Sequence, residues 1–251
     1  MGKMLMQQRR GKGSPAYKSP SHRFKADVCF RAYDEIEKNS ALRGYVVSLV
    51  DDPARTAILM DVKFENGERQ LLLAPEGLKV GDVVSAGAAS NVEAGNILPL
   101  ANIPDGVPIF CIESFPGDGG KFVRAAGNSA YVVSHEGDVV AVRLPSKKVR
   151  FFDARCRAQV GVVSGGGRLE QPLMKAGASF YAMRARNKNW PKSRGVAMNP
   201  VSHPFGGKQH HKGRSSAVSR STPPGRKVGH LAARTLGRRA AQKNILKSGE
   251  Q

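Results

Sequence analysis

The sequence predicts a mostly β protein in which two small closed barrels lie between long basic extensions at the two ends. Short β-rich segments recur at regular spacing between residues 42 and 163, and tight turns separate them. Long helical patterns do not alternate with these segments, which argues against an α/β fold. The net charge of +20 is concentrated at the ends, because residues 1–25 hold seven Lys/Arg and residues 184–251 hold sixteen.

Residues 1–34 are predicted to be a basic N-terminal extension. Gly11, Gly13 and Pro15 interrupt any regular pattern, so we expect an extended arm. A segment this polar cannot bury enough apolar surface to offset its ordering entropy, so we expect both ends to order on a polyanion. No apolar secretion signal or stretch of about 18 apolar residues is visible, which predicts a cytoplasmic protein outside the membrane.

Residues 35–90 are predicted to form the first barrel. Its second and third strands are joined by a hairpin in which Asn66 and Gly67 supply the positive φ angles. The predicted strands are Arg43–Val50, Arg55–Phe64, Arg69–Ala74 and Val83–Ala86.

Residues 91–172 are predicted to form the second barrel. Its predicted strands are Ile97–Leu100, Val107–Phe115, Tyr131–Ser134, Asp138–Leu144, Lys148–Phe152 and Ala158–Val163. Between the second and third of them, Gly120–Gly127 is a tight basic loop. Its small residues would let the backbone approach a ligand while Lys121 and Arg124 supply charge, although an ordinary solvated hairpin fits the same pattern.

Residues 173–251 are predicted to be a helix followed by a basic C-terminal extension, with helical composition over Gln171–Arg186. Cations and aromatic rings alternate there, and together they can bind phosphates and stack on unpaired bases. These residues are Phe180, Tyr181, Arg184, Arg186, Trp190, Lys192 and Arg194. An alternative is that the helix buries Phe180 and Tyr181 against the barrel.

No catalytic or metal site is predicted. The triplet Gly165–Gly167 lacks the Gly-Lys-Ser/Thr ending of a phosphate loop, which favours a linker. His203, His210 and His211 are the candidates for a hydrolase or a metal site, but their Gly/Pro-rich basic surroundings offer no rigid scaffold. The three cysteines lack paired spacing and are interpreted as buried thiols: Cys29, Cys111 and Cys156.

The segment Arg194–Val201 followed by His203–Gly207 resembles the signature of the large ribosomal subunit protein two family. Phe205 is typical of the archaeal and eukaryotic branch. Further similar segments cover essentially the entire chain: Gln8–Gly13, Pro20–Asp27, Leu72–Leu78, Gly119–Gly127 and Pro223–Gly229.

This resemblance implies an OB-like barrel followed by an SH3-like barrel. It also implies a structural constituent of the large subunit that binds large-subunit rRNA near the peptidyl transferase centre. The family supports subunit association, tRNA binding and peptide-bond formation, with the chemistry belonging to the RNA and not to an enzyme. The implied partners are large-subunit rRNA, small-subunit rRNA through an intersubunit bridge, and neighbouring ribosomal proteins. No cofactor is expected beyond structural Mg²⁺ held mainly by rRNA.

The residue patterns and the resemblance together predict the contacts with rRNA. The resemblance places Arg55, within the second strand, and Arg124 at binding positions. It places His203 near the catalytic centre, although Ser202 stands where most relatives have an Asp. The full predicted set is Arg55, Lys121, Arg124, Arg184, Arg186, Trp190, Lys192, Arg194, His203, Arg226 and Lys227. Those near the peptidyl transferase centre are Asn199, His203, Gly206 and Gly207.

Two other functions remain open from the sequence. A free single-stranded nucleic-acid-binding module would use aromatic residues on the first barrel, where Tyr45 and Phe64 are the main candidates. An enzyme would use His203 as its catalytic residue. Sedimentation of a lysate separates the first alternative from a ribosomal protein, because only the ribosomal protein travels with large subunits.

Overall fold

The computed structural model describes residues 2–10, 12–15, 17–209, 211 and 215–233. The chain divides into two compact units. The barrel unit is Pro20–Ser179, and the terminal unit combines the described parts of Met1–Ser19 and Phe180–Gln251. We describe each unit by itself.

The barrel unit is built on one extended β-sheet. Its strands are β1 Leu42–Val50, β2 Leu59–Phe64, β3 Arg69–Leu73, β4 Val83–Ala86, β5 Ile97–Pro99, β6 Pro108–Phe110, β7 Ala130–Glu136, β8 Val139–Arg143, β9 Val149–Asp153 and β10 Arg157–Val160. Their order across the sheet is β3-β2-β1-β4-β5-β10-β6-β7-β8-β9. Neighbours are antiparallel except β4 and β5, which are parallel. The predicted mostly β fold is confirmed.

Helices are few and short in the described residues. They are α1 Met6–Arg10, α2 Glu35–Asn39 and α3 Ala176–Ala185. Single 3-10 turns occupy Ser21–Arg23, Leu100–Asn102, Gly166–Leu169 and Gly195–Ala197. Among the residues that the structure describes, no helix combines the length and apolar character that crossing a bilayer requires.

The β1–β3 meander follows the predicted alternation. Leu42 and Val46 face the core while Arg43 and Tyr45 face solvent, as in an antiparallel sheet with one solvated face. The β2–β3 hairpin turns at Gly67, whose φ is +88°. The predicted hairpin is therefore confirmed, and it fixes the register in which Leu59 pairs with Leu73. The prediction that Asn66 also supplies a positive φ was wrong, because only Gly67 of the two residues adopts one.

Two apolar cores correspond to the OB-like and SH3-like halves. The first contains Val46, Leu59, Met60, Val62, Phe64, Leu72, Leu73 and Val84. The second contains Leu98, Leu100, Ile109, Val132, Val140, Val142, Phe152 and Val160. Each half thus contributes most of one core, although Phe110, Cys111 and Val163 of the second half belong to the first core.

Two predicted strands differ most from the observed bounds. The segment 53–58 forms a loop because the Asp52 carboxylate accepts the Ala54 N–H (2.9 Å) and the Asp52 carbonyl accepts the Arg55 N–H (3.1 Å). The prediction that Arg55 lies within a strand was therefore wrong. In the second half, β6 stops at Phe110 because Cys111 takes a φ of +51°, and Ile112 pairs only in an isolated bridge.

The expected extended arm is partly folded into the barrel unit through a segment that we call the strap, residues 25–40. A buried network of charged groups holds it. Arg157, 1% exposed, donates to Glu37 on the strap at 2.5 Å and to Glu113 at 2.7 Å. Buried ion pairs that keep full hydrogen bonding are costly to break, so this network fixes the strap in place. Local composition could not show this, because Glu37 and Arg157 are distant in sequence.

The terminal unit brings the two ends of the chain together. Leu5, Phe205 and Val228 form a small buried cluster, and Lys3 N–H donates to the Val201 carbonyl at 2.8 Å. Strands β11 Ala217–Val218 and β12 His230–Leu231 pair in parallel. The composition of either end alone predicted no core, because the three apolar residues meet only when both ends are present.

Candidate nucleic-acid interface

Positive charge is distributed differently in the two units. In the described residues every ion pair lies in the barrel unit. The sequences of residues 1–19 and 180–233 hold no Asp or Glu at all. In the described part of the terminal unit, no side-chain carboxylate of the same unit can therefore neutralise the cations. Their positive charge favours the binding of an external anion.

Arg55 and Arg124 both direct their guanidinium groups at the strap. Arg55 Nη2 donates to the Ala26 carbonyl at 3.1 Å, and its Nε lies 3.0 Å from Asp52 Oδ2. Arg124 Nη2 donates to the Val28 carbonyl at 2.6 Å, and its Nη1 donates to the Gly120 carbonyl at 3.2 Å. These bonds give both arginines a positioning role within the fold, whatever else they contact.

The basic loop around Lys121 uses its small residues for packing. A Cβ on Gly119 would lie 2.7 Å from Cys29 Cβ, and one on Gly120 would lie 2.5 Å from the Cys111 carbonyl oxygen. These two glycines therefore approach the protein itself, and not an empty surface reserved for a ligand. Lys121 remains largely exposed beside Asp118 at 3.2 Å. It is the part of this loop that presents charge to solvent.

Helix α3 and the segment after it expose their cations and rings. Phe180 is 40% exposed and Tyr181 68% exposed, and no residue of α3 is buried. Neither ring is buried, and the alternative in which the helix packs both rings against the barrel stays a prediction. Trp190 is half-buried, and the predicted cations of this region are exposed: Arg184, Arg186, Lys192 and Arg194.

The signature segment 194–207 is a series of turns closed by hydrogen bonds within its own backbone. The Asn199 carbonyl accepts the N–H groups of Ser202 (3.0 Å) and His203 (3.1 Å), and Gly207 N–H donates to the Met198 carbonyl at 3.0 Å. A side chain on Gly206 would overlap the backbone at Met198 and Asn199. The glycines in this segment are required by the close approach of its own backbone.

His203 lies partly buried in this segment as a neutral ring. Its Nδ1 accepts the Phe205 N–H at 3.1 Å, which leaves the ring proton on Nε2. Burial lowers the pKa of His203 below its ordinary value, so the neutral form is favoured. Ser202 offers no carboxylate to reverse that effect. His203 can therefore donate a hydrogen bond from Nε2 but carries no charge near neutral pH.

Arg226 and Lys227 are exposed on a turn closed by the Arg226 N–H donating to the Pro223 carbonyl at 3.2 Å. The next residue, Val228, is buried with Leu5 and Phe205. The apolar anchor fixes the turn, and the two cations face solvent.

The cysteines and the histidine cluster were the candidates for thiol or metal chemistry. Cys111 and Cys156 are buried, and burial raises the pKa of each thiol to about 12. Cys29 is exposed, so its prediction as a buried thiol was wrong. The described residues contain no group of three or more His, Cys, Asp or Glu placed to hold a metal ion. His210 lies outside the described residues.

The first barrel does not present the aromatic face that a free single-strand binder needs. Tyr45 is 52% exposed, but Phe64 is 2% exposed and packs in the first core. Phe64 lies at the end of β2, in which Lys63 is the one exposed residue, so its prediction as an exposed binding residue was wrong. Sequence reasoning instead missed the N-terminal residues Lys3, Arg10 and Tyr17, which line cavities together with residues 183–203.

Comparison with known proteins assigns the family. Residues 1–86 match the model described as "Ribosomal Proteins L2, RNA binding N-terminal domain", and residues 93–227 match "Ribosomal Proteins L2, C-terminal domain". The chain is 54% identical over 239 residues to large ribosomal subunit protein uL2 of Methanopyrus kandleri, covering 95% of this chain and 98% of the relative. It is 52% identical to the uL2 of Methanothermobacter thermautotrophicus, covering 95% of this chain and all of the relative.

These matches extend over both barrels and over the terminal segments that carry the signature. The chain therefore belongs to the ribosomal protein L2 family, with relatives among the archaeal uL2 proteins.

Proposed function

We propose that the chain is a structural constituent of the large ribosomal subunit and binds large-subunit rRNA. The observation that carries this function is the segregation of charge: the described part of the terminal unit holds no Asp or Glu, whereas every ion pair of the described residues lies in the barrel unit. In a ribosomal protein, the polyanion that such a surface binds is the phosphate backbone of rRNA. The release of counterions from that backbone favours binding. The barrels supply shape and the terminal unit supplies charge.

We propose contacts with rRNA at the exposed predicted cations and at Trp190, and a position near the peptidyl transferase centre for Asn199, His203, Gly206 and Gly207. The neutral ring of His203 supports a role in packing and hydrogen bonding there. Peptide-bond formation is then the work of the RNA, and the chain is no enzyme. Further proposed partners are small-subunit rRNA at an intersubunit bridge and neighbouring ribosomal proteins, in the cytoplasm, with structural Mg²⁺ held mainly by rRNA.

Matched charge removal tests this function. One variant replaces four exposed cations of the terminal unit by Gln: Arg184, Arg186, Arg226 and Lys227. The control replaces four exposed cations of the barrel unit: Lys63, Arg143, Lys147 and Lys148. Each phosphate contact contributes up to about 0.9 to the slope of log affinity against log salt, so the first variant should lose up to about 3 to 4 of that slope.

Sedimentation of salt-washed large subunits is the measurement. We expect the terminal-unit variant to be released at clearly lower salt than both the control and the unaltered chain. Equal release of the two variants would contradict the assignment of rRNA binding to the terminal unit. An unaltered chain that never travels with large subunits would refute the ribosomal function itself.

A further inference from the structure

Two adjoining cavities lie within the terminal unit, and both ends of the chain line them. The first has a volume of about 560 Å³ and the second about 870 Å³. They share four lining residues: Arg10, Tyr17, Asn189 and Lys192. Cavities of roughly 300–1,000 Å³ are the size of ordinary ligand sites.

The first cavity is suited to an anion. Its charged lining consists of Lys3, Arg9, Arg10 and Lys192, and no lining residue is acidic. His203 lines it as well, and its neutral ring retains an N–H at Nε2 for donation. Several guanidinium and ammonium donors around one space match the oxygens of a phosphodiester.

The second cavity is suited to a flat ring. Tyr17 and Trp190 line it, and the guanidinium of Arg10 lies 5.7 Å from the centroid of the Tyr17 ring. Every nucleobase has a π-face that stacks on such side chains without regard to sequence. Lys188 adds a cation to the same lining.

Hydrogen bonds between the two ends hold the cavities together. Asn187 Nδ2 donates to the carbonyls of Pro15 (2.7 Å) and Lys18 (2.6 Å), which flank Tyr17. Asn189 Nδ2 donates to Met6 Sδ at 3.4 Å. The segment that carries Trp190 therefore positions the segment that carries Tyr17, and neither end forms the site by itself.

We propose that the two cavities form one site for an unpaired RNA nucleotide, with its base beside Tyr17 and Trp190 and its phosphate among Arg10, Lys192 and their neighbours. This inference rests on the proposed rRNA binding and adds the state of the RNA that the site accepts. A base inside a duplex is stacked on both faces, so it cannot enter. The ligand is a nucleotide from a loop, bulge or single strand.

The single tryptophan of the chain makes this site directly observable. Trp190 is the only Trp in the sequence, so intrinsic tryptophan fluorescence reports on this cavity alone. The full chain is titrated with an oligouridine strand and, separately, with an RNA duplex of equal length at the same salt. We expect the single strand to quench Trp190 strongly and the duplex to bind with little quenching.

Substitutions then test the ring contacts by fluorescence anisotropy of labelled oligouridine. Removal of one stacking partner costs about 1–3 kcal/mol, so Tyr17→Leu should weaken binding by about fivefold to 150-fold. Trp190→Ala should weaken it similarly, while Trp190→Phe, which keeps a ring, should restore most of the affinity. The matched control is Tyr45→Leu, which removes an exposed tyrosine of the barrel unit. Circular dichroism verifies that each variant is folded.

The outcomes separate this inference from the function on which it depends. If the unaltered chain binds both RNAs, but the duplex quenches Trp190 as much as the single strand or Tyr17→Leu binds like Tyr45→Leu, the nucleotide site is refuted and rRNA binding stands. If the unaltered chain binds neither RNA, both fail. Selective quenching together with the loss in Tyr17→Leu and the rescue by Trp190→Phe supports the site.

Discussion

Gly195 shows how one missing side chain sets the environment of His203. A Cβ at position 195 would lie 2.5 Å from Nδ1 and 2.7 Å from Nε2 of the imidazole ring. Real Cβ atoms do not approach other atoms so closely, so any side chain at 195 must displace the ring. The hydrogen bond from Phe205 N–H to Nδ1, which fixes the tautomer, depends on the ring staying where it is.

Gly195→Ala should therefore disturb the His203 ring and destabilise the terminal unit. Overpacking of this kind costs typically 1–3 kcal/mol. The measurement is the ¹⁵N chemical shifts of the His203 ring nitrogens, which report the tautomer, together with the RNA affinity of the full chain. We expect the Nε2–H tautomer to lose its dominance and affinity to fall.

Gly167→Ala is the matched control for that substitution. Gly167 also lies in a single 3-10 turn, and an added Cβ there meets no atom within 4 Å. It should leave the His203 signals unchanged. A Gly195→Ala protein with the native ring spectrum would show that the segment relaxes around the methyl group, which contradicts the close packing described here.

At the scale of elements, the strap is held by side chains that come from distant parts of the barrel unit. Arg55 bonds Ala26, Arg124 bonds Val28, and Phe30 N–H donates to the Gly119 carbonyl at 3.0 Å. An arginine engaged in this way positions the strap, and any effect of its loss on RNA binding would then be indirect. An arginine that instead contacted phosphate directly would contribute to RNA affinity without holding the strap. An experiment that measures strap stability and RNA affinity separately distinguishes the two roles.

Arg124→Gln should release the strap locally. Hydrogen bonds from a charged donor are worth about 1.5–3 kcal/mol, so amide hydrogen exchange of Phe30 should accelerate by at least tenfold. Arg155→Gln is the control, since the Arg155 guanidinium is exposed and pairs with nearby Asp153. If RNA affinity falls while Phe30 exchange stays native, Arg124 acts through RNA contact and not through the strap.

The beginning of α2 gives the strap a dependence on pH. Asp34 caps this helix by accepting the Glu37 N–H at 3.1 Å, and it pairs with Arg31 at 2.6 Å. The hydrogen bonds from Arg31 lower the pKa of Asp34 to about 2. Since an unpaired Asp titrates near pH 4, the ionised carboxylate stabilises the fold above that pH, and its contribution is lost as the pH falls toward 2.

Asp34→Asn should remove that contribution while keeping a side chain that can cap the helix. The expected result is a lower free energy of unfolding near neutral pH and a weaker dependence on pH between about 4 and 2. Urea unfolding at several pH values in this range measures both. Parallel curves for the variant and the unaltered chain would mean that Asp34 contributes no charge-dependent stability.

The strands were predictable because their determinants are local. Alternation along β1 and a hairpin turn with a positive φ at Gly67 follow from neighbouring residues, and the structure reproduces both. The early stop of β6 at Cys111 did not follow from its apolar run. It coincides with a positive φ at Cys111, against which Gly120 of a later loop packs closely. Hydrophobic periodicity is a local pattern, so it cannot predict the bounds of elements that depend on contacts between residues distant in sequence.

At the scale of the whole molecule, the sequence revealed the charge asymmetry but not the architecture that uses it. The excess of cations at both ends is a matter of counting, and the motif around His203 is specific enough to indicate the family. The cavities are a different matter, because Tyr17 and Trp190 belong to opposite ends and become neighbours through contacts between those ends, among them the hydrogen bonds from Asn187 and Asn189. Composition cannot place two separate segments beside each other.

Because the terminal unit combines both ends of the chain, its two parts are synthesised at different times. The residues of the barrel unit, about 160 of them, must be made after Ser19 before the second half of the terminal unit begins. At a synthesis rate of roughly 5–20 residues per second, on the order of 8 to 32 seconds separate the synthesis of the amino-terminal part of this unit from that of its second part. During that interval the amino-terminal cations lack the apolar contacts with Phe205 and Val228 that help to hold the unit together.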